Sequence, residues 1–273
     1  MNRTAHAVAV LCFFSVLAPR ANADLMYGLS SSTPGTVYQI NTATGAATSV
    51  VNLTGDSTTS LVDISFLNGT LYASDVFAGR AFTFGTINLT TGAYTAINNQ
   101  GGSANWQGLA AIPSKNLLYA VALDSLGDPL VSVTPGGVVS TIGPTNRGIE
   151  DLAYDGIHGI LYGVDVSSLF TIDPLTGNTT LIGALGISGG RPGLGYDANN
   201  NTLYLNEGGT GNFYSVNSAT GQATLIGSNG SVNGQGIDGL ADLPASSVPE
   251  PQAVLLLLSV VAIIRPWRWN KAS

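Results

Sequence analysis

Carboxylates are the residues of this chain best placed to do chemistry. Together with a few other polar or aromatic residues, they stand at the start of five β-rich segments. The full set is Asp63, Trp106, Gln107, Glu150, Asp151, Arg191 and Asp238. If the five segments surround a common axis, these residues converge on one mouth of a central channel. A ring of several acids there could bind Ca²⁺ through oxygen ligands.

The same carboxylates have two other interpretations. A pair of them could serve as the acid and the base or nucleophile of a glycosidase. Alternatively, Asp63 and Asp151 could accept hydrogen bonds from neighbouring backbone and organise the loops, which is the interpretation that the sequence favours.

Other catalytic chemistries lack their parts. His6 and the one cysteine, Cys12, fall in an N-terminal export segment, and His158 lies in a turn sequence. A nucleophilic triad or a His-rich metal site therefore has no complete set of residues. No Gly-rich phosphate loop leads from a strand into a helix. We expect no catalytic residues and no obligatory cofactor, with Ca²⁺ the one candidate ion.

A repeat of 42–47 residues must position these side chains. Its marker is a tyrosine preceded by Leu or Met, at Tyr27, Tyr72, Tyr119, Tyr162 and Tyr204, with spacings of 45, 47, 43 and 42. Each copy continues through a strand, a turn and another strand, and Gly supplies the positive φ that most of these turns need.

A further strand leads into each unit, at residues 61–66, 106–112, 149–154, 191–196 and 237–243. Four strands per unit is the composition of a propeller blade. The first tyrosine has no leading strand and the last leading strand has no tyrosine, so joining them completes a fifth blade and protects both edges. The sequence thus predicts an all-β propeller of five four-stranded blades over residues 24–244.

The leading strands also share a small residue directly after an aligned apolar one, at Ser65, Ala110, Ala153, Gly195 and Ala241. Strands packed round a narrow axis have little room, which explains small side chains there. We expect the Tyr and Phe residues to pack between blades rather than to contact a ligand.

The N-terminus is typical of a bacterial signal peptide over residues 1–23. Arg3 precedes an apolar run at 7–18, and Ala21-Asn22-Ala23 is a small-x-small cleavage site. Cleavage between Ala23 and Asp24 would leave a mature chain with no cysteine, so its core must suffice without disulfides.

Residues 245–273 form a loose linker and a tail. The tail contains Val248, Pro249, Glu250 and Pro251, then an apolar run at 253–264 and a basic end. As a helix that run is about 18 Å long, against about 30 Å for a bilayer core. It suits a transient membrane contact better than a permanent span.

This tail resembles the PEP-CTERM sorting signal. The resemblance implies recognition by an exosortase, a membrane sorting enzyme, followed by release or transfer to the cell surface. In the family the basic end is usually a compact Arg-rich cluster, whereas Pro266, Trp267 and Trp269 dilute it here. An ordinary C-terminal anchor with interfacial aromatic residues is the alternative.

Charge limits the partners. Between Asp24 and Val248, four Arg and Lys residues face 15 Asp and Glu residues, a net charge of −11. Such a surface repels nucleic-acid phosphates and is compatible with cations and neutral sugars.

The body resembles secreted Gly-rich propellers with YVTN- or NHL-like repeats, a resemblance that does not fix function. Together these features predict an exported, non-enzymatic propeller at the bacterial cell surface or in the extracellular matrix, with the exopolysaccharide of a biofilm or another surface component as ligand. A Ca²⁺-assisted propeller glycosidase or polysaccharide lyase, or a purely structural matrix protein, is the alternative.

Overall fold

The computed structural model describes residues 24–30, 34–54, 61–75, 84–97, 105–123, 127–187, 190–230 and 236–242. The predicted signal peptide and the predicted linker and sorting tail, including Ala23 and residues 248–251, lie outside the described residues.

The described residues form twenty strands in five antiparallel four-stranded sheets. Blade 1 is β1 (Leu25–Ser30), β2 (Thr36–Asn41), β3 (Ala47–Asn52) and β20 (Ile237–Asp242). Blade 2 is β4 (Leu61–Leu67), β5 (Thr70–Asp75), β6 (Phe84–Ile87) and β7 (Tyr94–Ile97). Blade 3 is β8 (Asn105–Ile112), β9 (Leu117–Leu123), β10 (Pro129–Val133) and β11 (Val139–Pro144). Blade 4 is β12 (Asp151–Asp155), β13 (Ile160–Val164), β14 (Ser168–Ile172) and β15 (Thr179–Ala184). Blade 5 is β16 (Pro192–Asp197), β17 (Thr202–Glu207), β18 (Asn212–Val216) and β19 (Ala223–Ser228).

The blades surround a central channel. Its wall consists of the leading strands β4, β8, β12, β16 and β20, each of which packs against the next one round the ring. This arrangement confirms the predicted five-bladed propeller and its four strands per blade.

Both ends of the described chain complete blade 1. Strand β1 pairs antiparallel with β20, from Met26 opposite Asp242 to Ser30 opposite Ile237. The prediction that the first and last segments share one blade is confirmed. This pairing removes two open edges, which would otherwise offer unpaired backbone groups to other chains.

The core lies between neighbouring blades. The five repeat tyrosines are at most 9% exposed, as expected for packing residues. Tyr72, for example, stacks on Phe84 with ring centroids 5.5 Å apart, and Tyr204 stacks on Phe213 at 5.3 Å. Full burial of a large apolar side chain stabilises the fold by about 1.5–3 kcal/mol, so this recurring layer accounts for much of the ring's cohesion.

Helix is confined to one short 3-10 turn, Pro113–Lys115, within the described ranges. No helix among the described residues is long and apolar enough to cross a membrane.

Candidate functional site

Strand register aligns the five leading strands. Their apolar anchors, Ile64, Leu109, Leu152, Leu194 and Leu240, pair with equivalent positions of the second strand in each blade. The residue before the anchor is also equivalent in four strands, at Asp63, Asp151, Gly193 and Gly239, whereas in β8 the register skips Gly108 and pairs Gln107 at this level. Two aspartates, two glycines and one glutamine thus occupy one level of the channel.

We call the cavity at this level the narrow pocket. It is lined by Val62, Asp63, Gln107, Gly108, Glu150, Asp151, Arg191, Pro192 and Asp238, and its volume is about 30 Å³. Six of the seven side chains predicted for the channel mouth therefore come together, although they belong to five different blades.

Trp106 is the exception. Its side chain is 1% exposed and packs in the core between blades 2 and 3, with its ring centroid 5.6 Å from that of Phe84. Strand β8 has a register irregularity between Gln107 and Leu109, so Gln107 turns to the pocket and Trp106 faces the core. The sequence does not reveal this bulge, and placing Trp106 at the mouth was wrong.

Asp63 and Asp151 hold backbone N–H groups. Asp63 Oδ1 accepts the N–H of Ile64 at 2.7 Å, and its carboxyl also accepts a backbone hydrogen bond from Leu109. Asp151 Oδ1 accepts the N–H of Leu152 and its Oδ2 that of Leu194, each at 2.6 Å. Because Leu109 and Leu194 lie on the following blade, each aspartate joins two blades. This is the structural role that the sequence favoured.

The two carboxyls also contact each other. Burial raises the pKa of Asp63 well above its usual value, and the charge and hydrogen bond of Asp151 raise it further. Burial raises the pKa of Asp151 to about 7, against the lowering effect of hydrogen bonds from Asp63, Leu194 and Leu152. At neutral pH the pair therefore does not carry two full negative charges.

Glu150 and Arg191 lie at the outer side of the same pocket. Burial raises the pKa of Glu150, while the guanidinium of Arg191 lowers it and the nearby charge of Asp165 raises it. Gln107 Nε2 donates to Glu150 Oε2 at 3.2 Å. Arg191 itself has a φ of 51°, which places its backbone in the left-handed region.

The narrow pocket suits a very small occupant. A volume of about 30 Å³ has room for about one water molecule and not for a sugar ring. A glycosidase pair needs carboxyls roughly 5–9.5 Å apart with the substrate between them, whereas Asp63 and Asp151 touch. Within the described ranges, no three or more His, Cys, Asp or Glu side chains are grouped so that they could hold a metal ion.

A second and larger cavity, which we call the wide pocket, opens on the channel beyond the five anchors. Its volume is about 350 Å³. The lining includes the five small residues that the sequence aligned, Ser65, Ala110, Ala153, Gly195 and Ala241, together with the aromatic residues Phe66, Tyr154 and Tyr196. The small side chains thus do more than ease packing, because they leave this space open.

The aromatic residues of the wide pocket are what the sequence reasoning missed. Phe66, Tyr154 and Tyr196 each stand two residues after an anchor, in three of the five leading strands. That shared register was the signal that could have found them. All three rings also pack against core clusters, as expected for the Tyr and Phe residues.

Contacts hold these side chains in place without a ligand. Tyr196 donates from its hydroxyl to Asn201 Oδ1 at 2.6 Å. The Phe66 ring meets that of Tyr27 edge-on, with centroids 5.3 Å apart. Ser65 Oγ accepts the N–H of Ala111 at 3.0 Å, which leaves the hydroxyl proton of Ser65 available to a ligand.

His158 lies in a turn, as the sequence indicates, and its side chain is 52% exposed. It is not solitary, because its Nδ1 lies 2.6 Å from Oδ2 of the buried Asp155. This contact closes the turn between β12 and β13.

No protein-family model and no curated protein matches the chain in sequence. Among solved structures, a chain of a nidogen/laminin complex superimposes with a TM-score of 0.52 at 12% identity, over 80% of this chain and 97% of that one. A virginiamycin B lyase from Staphylococcus aureus gives 0.45 at 14% identity, over 75% of this chain and 70% of that one. A protein of unknown function from Bacteroides thetaiotaomicron gives 0.46 at 15% identity, over 76% and 57%. At such identities the likeness concerns the fold alone.

Proposed function

We propose that this protein is an exported, non-enzymatic propeller that binds a neutral extracellular polysaccharide in the wide pocket. The observation that carries the proposal is the pocket itself. Its volume of about 350 Å³ lies at the lower end of the range for small-ligand sites, about 300–1,000 Å³, and suits one or two sugar units.

The lining favours a sugar over a charged ligand. Tyrosine offers an apolar ring face and a polar hydroxyl, so Tyr154 can pack on the C–H face of a sugar and still reach its hydroxyls, whereas the Tyr196 hydroxyl already donates to Asn201. Phe66 adds a third ring, and Ser65 can donate a hydrogen bond. The net charge of −11 between Asp24 and Val248 disfavours polyanionic chains, which leaves neutral polysaccharides as the best match.

The residues that line each pocket support binding without cleavage. The described residues that line the wide pocket include no Asp, Glu or His, so no carboxylate or imidazole faces a ligand there. The carboxylates lie instead in the narrow pocket, whose volume admits no sugar ring. This separation supports the non-enzymatic role over the glycosidase alternative, which needs two carboxylates beside the sugar.

Export rests on the two ends of the sequence. The signal peptide would deliver the chain across the inner membrane, and the Val-Pro-Glu-Pro tail would present it to an exosortase-type enzyme. The ligand would then be polysaccharide of the bacterium's own matrix.

The test is a binding titration of the purified protein with neutral matrix polysaccharide, followed by size analysis of the polysaccharide. We expect saturable binding, loss of binding in Tyr154→Ala, and an unchanged chain length. Shortened chains would replace the proposal with an enzymatic one. Equal binding by the protein and by Tyr154→Ala would show that the wide pocket is not the site.

A further inference from the structure

Geometry alone distinguishes the two carboxyls of the narrow pocket. Both oxygens of Asp151 accept a backbone N–H, from Leu152 and from Leu194, at 2.6 Å each. Asp63 accepts such a bond at Oδ1, but its buried Oδ2 meets no hydrogen-bond donor among the described groups. A carboxylate oxygen left without a donor in the interior is costly.

The contact between the two side chains resolves this deficit. Two carboxylate oxygens cannot hydrogen-bond to each other unless a proton lies between them. Asp151 is the acceptor, because both of its oxygens already receive N–H groups as an anion's would. Asp63 Oδ2 is then the atom that carries the proton.

We propose that Asp63 keeps a proton at neutral pH and donates a hydrogen bond to Asp151, so that this one proton latches the narrow end of the channel and its release at higher pH loosens the ring. This proton affects the packing of the blades because each aspartate also accepts a backbone N–H from the next blade. Asp63 accepts that of Leu109, and Asp151 accepts that of Leu194. Without the proton, two buried like charges face each other across the channel.

The charged groups around the pair act mostly in the same direction. Glu150, beside Asp151, and Asp238, on the flank of β20, are acids whose charge favours retention of the proton. Arg191, ahead of β16, opposes it, and Gln107 of β8 is neutral. The glycines at the other two positions of the level, Gly193 and Gly239, contribute no charge.

The sign of the pH dependence follows from the raised pKa values of the pair. A carboxyl with a folded pKa above its unfolded value of about 3.9 contributes stability that is complete below that value and is lost as pH rises towards the folded pKa. The stability that the pair contributes should therefore decrease from about pH 4 upward, and the decrease should continue above pH 6 because the pKa of Asp151 is about 7.

Asp63→Asn is the informative variant, because the amide NH₂ at position 63 can donate to Asp151 as the protonated acid does, yet cannot ionise. Urea unfolding of the full-length protein and of the variant, in metal-free buffer at pH 6 and pH 8, measures the effect. We expect the unfolding equilibrium constant of the native protein, relative to the variant, to rise at least about tenfold between the two pH values. A ratio that does not change with pH would overturn the proposal.

Asp151→Asn is the matched control. Its single amide oxygen can replace only one of the two acceptors, so a backbone N–H of Leu152 or Leu194 loses its partner. We expect this variant to be destabilised at both pH values. If Asp151→Asn instead behaved as Asp63→Asn, the assignment of the proton to Asp63 would be wrong.

Two further measurements keep the test decisive if a variant fails to fold. Infrared spectra of the native protein at pH 6 should contain the C=O band of a buried protonated carboxyl, and absence of that band would refute the proposal. Ca²⁺ and EDTA should leave stability at pH 8 unchanged, whereas stabilisation by Ca²⁺ would mean that a metal ion and not a proton joins the pair.

Discussion

The backbone of Gly227, in the outermost strand of blade 5, lies directly against the carbonyl oxygen of Thr44 in the hairpin turn of blade 1. A Cβ atom added at Gly227 would overlap that oxygen. Gly183 meets Thr220 in the same way, and Gly143 meets Thr176. A glycine in the outer strand of one blade thus receives the turn of the next, which locks the ring at its perimeter.

Gly227→Ala should destabilise the protein by about 1–3 kcal/mol, because the added methyl group must displace the turn at Thr44. Urea unfolding measures the change. Gly209→Ala is the matched control, since nothing lies within 4 Å of a Cβ added there. Equal stability of the two variants would show that the turn does not dock on Gly227.

Tyr154→Ala should weaken polysaccharide binding by about tenfold or more, because it removes one ring of the wide pocket and a stacking contact is worth about 0.5–1.5 kcal/mol beyond its buried area. Tyr154→Phe keeps the ring and should retain most of the affinity. Isothermal titration calorimetry on both variants measures this. A loss of affinity in Tyr154→Phe as large as that in Tyr154→Ala would assign the affinity to the hydroxyl group.

Asp155→Asn should destabilise the protein at pH 7 and much less at pH 3. Burial alone would raise the pKa of Asp155, but hydrogen bonds from the backbone and ring of His158 and from the Ile157 N–H outweigh it and lower that pKa. This stability is present above the unfolded pKa of about 3.9 and is lost as pH falls through the folded value. A hydrogen bond to a charged group contributes about 1.5–3 kcal/mol. We therefore expect Asp155→Asn to lower the free energy of unfolding at pH 7 by at most about 3 kcal/mol.

Thermal unfolding between pH 3 and pH 7 measures the effect of Asp155→Asn, and Asp173→Asn is the control. Asp173 accepts similar turn hydrogen bonds from Leu175 and Thr176 at the exposed surface, so its replacement should have the smaller effect. A loss for Asp155→Asn that is the same at pH 3 and pH 7 would contradict the assigned role of its charge.

Protein recovered from the culture medium should begin at Asp24 and end near residues 248–251, because both terminal segments are predicted to be removed during export. Intact-mass spectrometry determines both ends. Replacing Ala23 by a bulky residue should retain the N-terminal segment, since signal peptidase sites require small side chains. A secreted chain that still carries residues 253–264 would favour an anchor over a sorting signal.

The sequence by itself determined the architecture of this protein. Strand periodicity, Thr-Gly turns and the tyrosine spacing act within one repeat of 42–47 residues, so they could be recognised without a structure. The incomplete first and last repeats also determined how the ring closes. Convergence of Asp63, Glu150 and Asp151 on one pocket followed from the same alignment.

Only the tertiary structure decided which side chains meet across the channel. Asp63 and Asp151 are 88 residues apart, and their contact depends on how far the leading strands lie from the axis. Trp106 faces the core because of a bulge at Gly108, and the rings of the wide pocket surround a space that exists only once all five blades are in place. Local patterns fix the strands, but the distance between side chains of different blades is a property of the closed ring.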